Sequence, residues 1–437
     1  MNPIGLIFTL VASVFLLALP RRLAAIPLLI GTAYMTRGQE LDLGAHFTVL
    51  HILVMVGILR VLLKREQIAN GMNYVDRWLI LWAFWLIASS AFHTDDAWKF
   101  RAGVVWNDLG CYFLFRIFVR NGEDVRYIFK VLFVVLVPIA VLMLLEKAIG
   151  KNYFAILGGV DETPAFRNGH FRASGPFAHP ILAGSVGATC FPMALCFWKS
   201  HRKFGLAGLF AAGGIIFAST SSGPIMMLLF TLFGLTIWKV RDYLRSVLWL
   251  SLAAVIALDA VMKDPVYFLM ARIDISGGST GYYRAELIRS SIEHLNEWWL
   301  VGTDYTRNWM ATGIYANPNH CDMTNHILGM GVKGGLPLMF LFIMVFFAAF
   351  RAVGTALRNN ESASPEYRFL IWTLGAILFG HVWNFFSISL FDQSIVFLYL
   401  ILASIGAVQA SEQFAADQGG KQLVSRIRQS RYVPRLG

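Results

Sequence analysis

The sequence predicts an all-α, polytopic integral membrane bundle of about 12–13 transmembrane helices, with a large outer loop that contains short helices. Three observations predict it. Of the 437 residues, 57% are hydrophobic and only 14% are charged, well below the charged share of a soluble chain. The apolar residues gather into long runs, most of them near the ~20 residues that a helix needs to cross a bilayer. The loops between the runs alternate between rich and poor in Lys and Arg, which is the pattern that sets membrane topology.

Thirteen spans are read, at 3–20, 23–36, 47–63, 77–92, 103–119, 127–146, 179–197, 204–219, 222–238, 245–262, 327–350, 368–390 and 393–410. The second and eighth are short and would be tilted, broken or re-entrant. Basic residues flank every second loop: Arg21 and Arg22; Arg60, Lys64, Arg65 and Arg77; Arg116, Arg120, Arg126 and Lys130; Lys199, Arg202 and Lys203; Lys239, Arg241 and Arg245; Arg351, Arg358 and Arg368. With the tail residues Lys421, Arg426, Arg428, Arg431 and Arg435, this side holds 24 of the 37 Lys and Arg. The C-terminus is therefore expected in the cytoplasm and the N-terminus outside. The net charge of +11 is explained by this asymmetry rather than by a nucleic-acid partner. The basic tail, 411–437, would rest on anionic headgroups of the bilayer. Residues 1–20 lack a basic n-region and a small-residue cleavage site, so they read as a retained first helix and not a signal peptide. The four cysteines contain no Cys-x-x-Cys pair, which argues against a disulfide framework or a thiolate metal site. No internal repeat is visible, and the chain reads as a single transmembrane domain with the loop 263–320 inside it.

Two outer segments, 147–177 and 263–320, hold nine of the other thirteen Lys and Arg. That is the reverse of a passive outer loop, and an anionic ligand is the simplest reason for it. The alternative is pairing with Asp161, Glu162, Asp264 and Asp274. The spacing within 282–300 predicts a helix lying at the membrane edge: Leu287, Ile288, Ile292, Leu295 and Trp299 fall on one face, and Glu286, Glu293 and Glu297 on another. Trp298 and Trp299 suit the headgroup level. Ser279 or Thr280, after Gly277 and Gly278, would cap this helix.

Four motifs carry chemistry. FRASGPFAHP, 171–180, offers Arg172 and His179, with Arg167 and His170 just before it. A guanidinium here can hold a phosphate in a bidentate fork, or it is a snorkelling side chain of an interfacial turn. STSSGP, 219–224, offers small hydroxyl residues, Ser222 among them, to cap the next helix, with Gly223 and Pro224 in a tight turn into its start; such a helix start suits either capping or an anion. Arg284 in GGSTGYYRAELIR would sit in the first turns of the loop helix. It is either an anion ligand or a partner of Glu286 or Asp274, and Arg289, five residues on, need not share its face. NPNHCDMTNHILGMGVKGGLP, 317–337, packs His320, Asp322, Asn325 and His326 into seven residues. A histidine here would serve as general base with Asp322 to orient it. His320, Asp322 and His326 are also metal-ligand types, but no second ligand cluster accompanies them, so no metal or other cofactor is expected. Within the spans, Asp108, Asp259, His381 and Asn384 should face the bundle interior, since a charge at the bilayer centre costs at least ~2.5 kcal/mol.

In their order, these motifs resemble the O-antigen ligase/polymerase family of polytopic bacterial glycosyltransferases, over roughly residues 165–350. The resemblance rests on Arg172 to Pro180, Thr220 to Ser222, Gly281 to Arg284 followed by Trp298 to Tyr305, and Thr324 to Leu336. It implies a metal-independent, inverting transfer on the periplasmic face of the inner membrane. The donor would be an undecaprenyl-diphosphate-linked saccharide, and the acceptor another saccharide unit or lipid A–core. Other polysaccharide-assembly membrane proteins would be partners. Arg284, Arg172, Arg167 and Arg289 would bind the diphosphate. His320, His326 and Asp322 would form the catalytic group, with His320 the preferred base, and His179, Asn325 and Ser222 would support it. The chain departs from the family pattern in two places. Ser222 and Gly223 stand where many relatives carry Arg, and Thr324 stands where many carry His. The Ser-Ser-Gly-Pro turn looks more like exopolysaccharide polymerases than like ligases. Two other readings are a transporter or flippase of a lipid-linked or anionic substrate, built on Asp108, Asp259 and His381, and a non-catalytic scaffold.

Overall fold

The computed structural model describes residues 1–42, 46–272, 281–311, 313–314 and 317–409. Each of the thirteen apolar segments read from the sequence is a helix. They are α1 (Pro3–Ala18), α2 (Arg21–Tyr34), α3 (Val49–Lys64), α4 (Tyr74–Ala88), α5 (Ala97–Phe118), α6 (Gly122–Ile149), α7 (Pro180–Ser200), α8 (Arg202–Ser219), α9 (Ser222–Thr236) and α10 (Leu244–Val261). Two short helices, α11 (Gly281–Glu293) and α12 (Leu295–Trp298), follow in the loop, and then α13 (His326–Asn359), α14 (Pro365–Asn384) and α15 (Ile395–Gln409). Among the described residues, five stretches are long and apolar enough to cross a membrane: Tyr74–Phe92, Gly122–Ile149, Pro180–Ser200, Ser222–Tyr243 and His326–Asn359. Three hairpins join helices: β1 (Glu40–Asp42) with β2 (His46–Thr48), β3 (Ala165–Arg167) with β4 (His170–Arg172), and β5 (Gly313–Ile314) with β6 (Asn317–Cys321), all antiparallel.

Local chemistry sets the helix ends. Asn73 and Asp76 form a reciprocal capping box at α4, Asn121 accepts from the Asp124 amide at α6, and Asn325 accepts from the Ile327 and Leu328 amides at α13. At the end expected to face the cytoplasm, buried charges are paired. Arg116 meets Asp76 at 3.1 Å, with the Tyr112 hydroxyl also donating to Asp76, and Arg60 forks onto Glu66 at 2.7 and 3.1 Å. Of the in-span polar residues, Asp108 accepts from the Tyr399 hydroxyl (3.1 Å), His381 Nε2 lies 3.0 Å from the Thr189 hydroxyl, and Asn384 donates to Ser185 (3.1 Å). All three are buried between helices.

Three expectations need correction. Asp259 does not face the interior: it is exposed near the end of α10, where its carboxylate accepts from the Val266 amide (2.8 Å) and so caps the following turn. The loop helix is not continuous over 282–300, because it breaks at His294 between α11 and α12. The break turns Trp298 inward, 4% exposed beside Gly331, with its indole N–H on the Ser291 carbonyl (2.9 Å). The packed face of α11 is thus Ala285, Leu287, Ser290 and Ser291, while Ile292, Leu295 and Trp299 stay exposed. The expected cap at Ser279 or Thr280, with Gly277, Gly278 and Asp274, lies outside the described residues, as does the tail with Lys421, Arg426, Arg428, Arg431 and Arg435.

Helix α13 is interrupted at Gly334 (φ −159°, ψ 25°) and Gly335 (φ 73°, ψ −175°). The Trp85 indole donates to the Gly334 carbonyl (2.7 Å), the Leu336 amide to Trp299 (2.7 Å), and the Thr303 amide to Val332 (2.9 Å). The chain at 299–303 therefore fills the break and satisfies backbone groups that the helix leaves open.

Candidate anion-binding site

The site begins with the β3–β4 hairpin. Asn168 and Gly169 form its two-residue turn with φ of 52° and 79°, both left-handed, as a type I′ turn requires. Arg167 pairs with His170, and Ala165 with Arg172. Alternation then places Arg167, His170 and Arg172 on one face, and the edge-to-face rings of Phe166 and Phe171, with centroids 5.1 Å apart, on the other.

The chain after Arg172 is held at nearly every residue. Glu146, near the end of α6, accepts from the Ser174 amide through one oxygen (2.8 Å) and from the Gly175 amide through the other (2.9 Å). Asp392 accepts from Ala178 (2.9 Å), Gln393 donates to the Pro176 carbonyl (2.8 Å), and the Ala173 amide reaches the Ala218 carbonyl (3.0 Å). These bonds bring Arg172 against the turn between α8 and α9, where its Nη2 donates to Ser221 Oγ (2.8 Å). Ser221 occupies the N-cap position of α9 without capping it; its hydroxyl instead accepts from Arg172 and donates to the Ser219 carbonyl (2.9 Å). Ser222 is the first residue of α9, next to this contact. Lys147 joins from α6, donating to the Phe171 carbonyl (3.2 Å) and the Thr220 hydroxyl.

Arg284 arrives from the first turn of α11, where the sequence placed it. Its neighbour Tyr283 donates to the Asp322 carbonyl (2.9 Å), which ties α11 to the chain leading into α13. Arg284 feels the charges of Arg167 and Asp322, and Arg172 also feels Arg167. Burial first, then the like charge of Arg167, lowers both guanidiniums; Asp322 partly offsets this at Arg284. Burial raises the Asp322 carboxyl, and Arg284 opposes that rise. The Nε atoms of Arg172 and Arg284 are both buried without a hydrogen-bond partner among the described residues. Glu286 Oε2 is also buried and unpartnered, and no ion pair among the described residues joins it to Arg284. An unsatisfied buried donor costs about 1–3 kcal/mol, more when charged. Three cations gathered this way, with one carboxylate near them, form a site that an anion would complete.

The other expected residues divide clearly. His179 caps α7: its Nδ1 accepts from the Ile181 amide (3.2 Å), so Nε2 carries the proton of the neutral ring. Burial, followed by the charge of Arg172, pushes this imidazole down to about 4, so it stays neutral and is a donor rather than a base. His326 is 1% exposed; its Nδ1 accepts from the Leu390 amide (3.2 Å), and Nε2 is buried without a partner among the described residues. It too has no free lone pair for a substrate proton. His320 is only partly buried, with Nδ1 3.2 Å from the Thr306 hydroxyl. Burial lowers its pKa, and Asp304 opposes that. The groups it meets among the described residues are Thr306 and Asp304. Asn325 is a helix cap. Arg289 is exposed and pairs with Glu293 at 3.1 Å, away from the cluster. Arg289→Ala should leave anion binding and activity unchanged within error; a loss comparable to that of Arg284→Ala would put Arg289 back in the site. Among the described residues, no three His, Cys, Asp or Glu side chains are grouped so as to hold a metal ion.

Lys147, Glu146, Ser221 and Asp392 are the contributors that sequence reasoning missed. The Asn-Gly dipeptide at 168–169 was a readable hairpin signal. Glu146 and Asp392 carried no such signal, because their partners are 28, 29 and 214 residues away. No family model matches the chain, and no curated protein matches it.

Proposed function

We propose that this site binds the diphosphate of a lipid-linked saccharide, and that the chain is a membrane glycosyltransferase of the O-antigen ligase/polymerase type, acting on the periplasmic face of the inner membrane in surface polysaccharide synthesis. The observation that carries the reading is the pair of buried, unpartnered guanidinium nitrogens of Arg172 and Arg284, gathered with Arg167 from separate parts of the chain. A diphosphate supplies the missing acceptors in a geometry that guanidinium forks match. The apolar helices around the site suit a lipid-bound donor.

In the proposed reaction, the acceptor hydroxyl attacks the anomeric carbon of the donor sugar. The bond from that carbon to the diphosphate oxygen breaks, with inversion at carbon. The electron pair leaves on the lipid diphosphate, whose charge Arg172, Arg284 and Arg167 neutralise. His320 takes the hydroxyl proton, since it alone of the three candidate histidines keeps an available ring nitrogen in a partly open position. The polymerase form, extending a saccharide on its carrier, is preferred to transfer onto lipid A–core, on the Ser-Ser-Gly-Pro turn.

A base must be unprotonated to act. Because burial depresses the His320 pKa, activity should persist below the ordinary histidine value of about 6.5 and fall only at lower pH. An acid limb well above that value would remove His320 from this role. The proposed function is tested by the surface glycans of a deletion strain complemented with wild type, Arg284→Ala or His320→Ala. Chains collapsing to single units in the mutants would mean polymerase. Full-length chains stranded on the carrier would mean ligase. Unchanged surface glycans and exopolysaccharide in both mutants, with protein at wild-type level, would sink the reading.

A further inference from the structure

We propose that His93, held as an imidazolium between Asp304 and the Val301 carbonyl, is a positioning residue that fixes the 299–306 segment and, through it, His320. Only the effect on transfer rests on the reading of His320 as base; the clamp itself rests on geometry.

His93 follows the short turn Ser89–Phe92 that continues α4, and its side chain is 1% exposed. Its Nε2 lies 2.8 Å from the Val301 carbonyl oxygen, and its Nδ1 lies 2.6 Å from Asp304 Oδ1. A carbonyl only accepts, so Nε2 carries a proton. The other Asp304 oxygen accepts from the Thr94 amide (2.9 Å). Burial would raise the Asp304 carboxyl, but its hydrogen bonds with His93 and the Thr94 amide, together with the charge of Arg101, hold it below the ordinary carboxylate value. An ionised carboxylate also only accepts, so Nδ1 carries a second proton. An imidazole that donates through both nitrogens is a cation. Three hydrogen bonds, one of them an ion pair, thus join 93–94 to 301–304.

The clamped segment leads directly to His320. Thr306 donates its amide to the Asn319 carbonyl (2.9 Å), its hydroxyl accepts from the Cys321 amide (3.1 Å), and that hydroxyl contacts His320 Nδ1. Asp304, two residues before Thr306, brings its charge to bear on His320. Arg101, anchored on Ser89 Oγ at 3.0 Å, faces Asp304 from α5, and Lys333 faces Arg101 from α13. Nothing in 281–293 is needed for this arrangement, so it is separable from the cation cluster.

The test is hydrogen–deuterium exchange on the full chain in lipid nanodiscs, comparing wild type with His93→Gln, Asp304→Asn and the double variant. Peptides covering 299–306 and 317–322 should exchange about tenfold faster in each single variant, with the double variant no faster than either and 180–200 unchanged. No acceleration, or acceleration across the whole chain, would overturn the clamp. Nitrogen NMR of histidine-labelled protein gives a second check: both His93 ring nitrogens should report as protonated, and a neutral-tautomer pattern would overturn the proposal. In a transfer assay, Asp304→Asn should lower kcat about tenfold with donor KM unchanged, and should move the acid limb to lower pH, because Asp304 no longer supports the charge on His320. A clamp that passes exchange and NMR without any change in transfer would overturn the link to His320 and leave the cation cluster untouched.

Discussion

Replacing Arg284 with Ala should reduce transfer by about 10²–10³-fold while protein level and helix content stay at wild type. The side chain is buried at its Nε, it is not spent on an ion pair with Glu286, and it faces the charges of Arg167 and Asp322. Removing it relieves repulsion at Arg167, so the fold should tolerate the change. Arg172→Ala should behave similarly, with a smaller loss, because its Nη2 already serves Ser221. The two losses should not add, since both groups act on one anion. Arg284→Lys separates charge from shape: it keeps the cation, loses the planar fork, and should recover only part of the activity. The check is initial rate with a lipid-linked donor in purified membranes. Full activity in Arg284→Lys would show that charge alone is needed. Full activity in Arg284→Ala would remove this residue from the reaction.

Gly335→Ala should cost the folded protein itself. At φ 73° and ψ −175° the backbone occupies a region essentially closed to residues with a Cβ, at a cost of about 1–3 kcal/mol. A Cβ there would also lie 2.2 Å from the Leu300 carbonyl oxygen, and backbone cannot swing aside as a flexible side chain can. Gly302, facing the break from the other side at φ 92°, is equally closed: its Cβ would meet the Val332 carbonyl oxygen at 2.2 Å. Either change should expel 299–303 from the α13 break. Detergent-solubilised yield and melting temperature should both fall, whereas Gly354→Ala, which meets nothing within 4 Å, should leave them unchanged. A Gly335→Ala protein with wild-type melting would contradict the account of how the loop is seated.

Much of this architecture was readable from hydropathy because apolar runs and their caps are local. All thirteen apolar segments are helical, but not every end was read closely: α5 and α6 begin earlier than their apolar runs, at Ala97 and Gly122 rather than 103 and 127, α13 runs on to Asn359 rather than 350, and α14 stops at Asn384 rather than 390. The break at His294 was not readable. No Pro or Gly marks it; it is set by where Trp298 must go, under Gly331 and onto the Ser291 carbonyl. Asp259 misled because mid-run acidic residues usually turn inward, whereas this one is near enough to the helix end to cap the next turn. At the site, residue types identified Arg172 and Arg284. Their supports, Glu146 and Asp392, act through backbone amides distant in sequence, and a single chain carries no trace of such pairings. The histidines show the same limit: the sequence places both His320 and His326 in the catalytic group, and only the hydrogen bond from the Leu390 amide removes His326 as a base, as the one from Ile181 fixes His179 as a helix cap.

The most direct measurement is native mass spectrometry of the full chain in nanodiscs with undecaprenyl diphosphate, comparing wild type with the Arg172→Ala/Arg284→Ala double variant and using undecaprenyl alcohol as the uncharged control. The account predicts that wild type retains the diphosphate lipid and not the alcohol, and that the double variant retains neither. Equal retention of the diphosphate lipid by wild type and the double variant would contradict it.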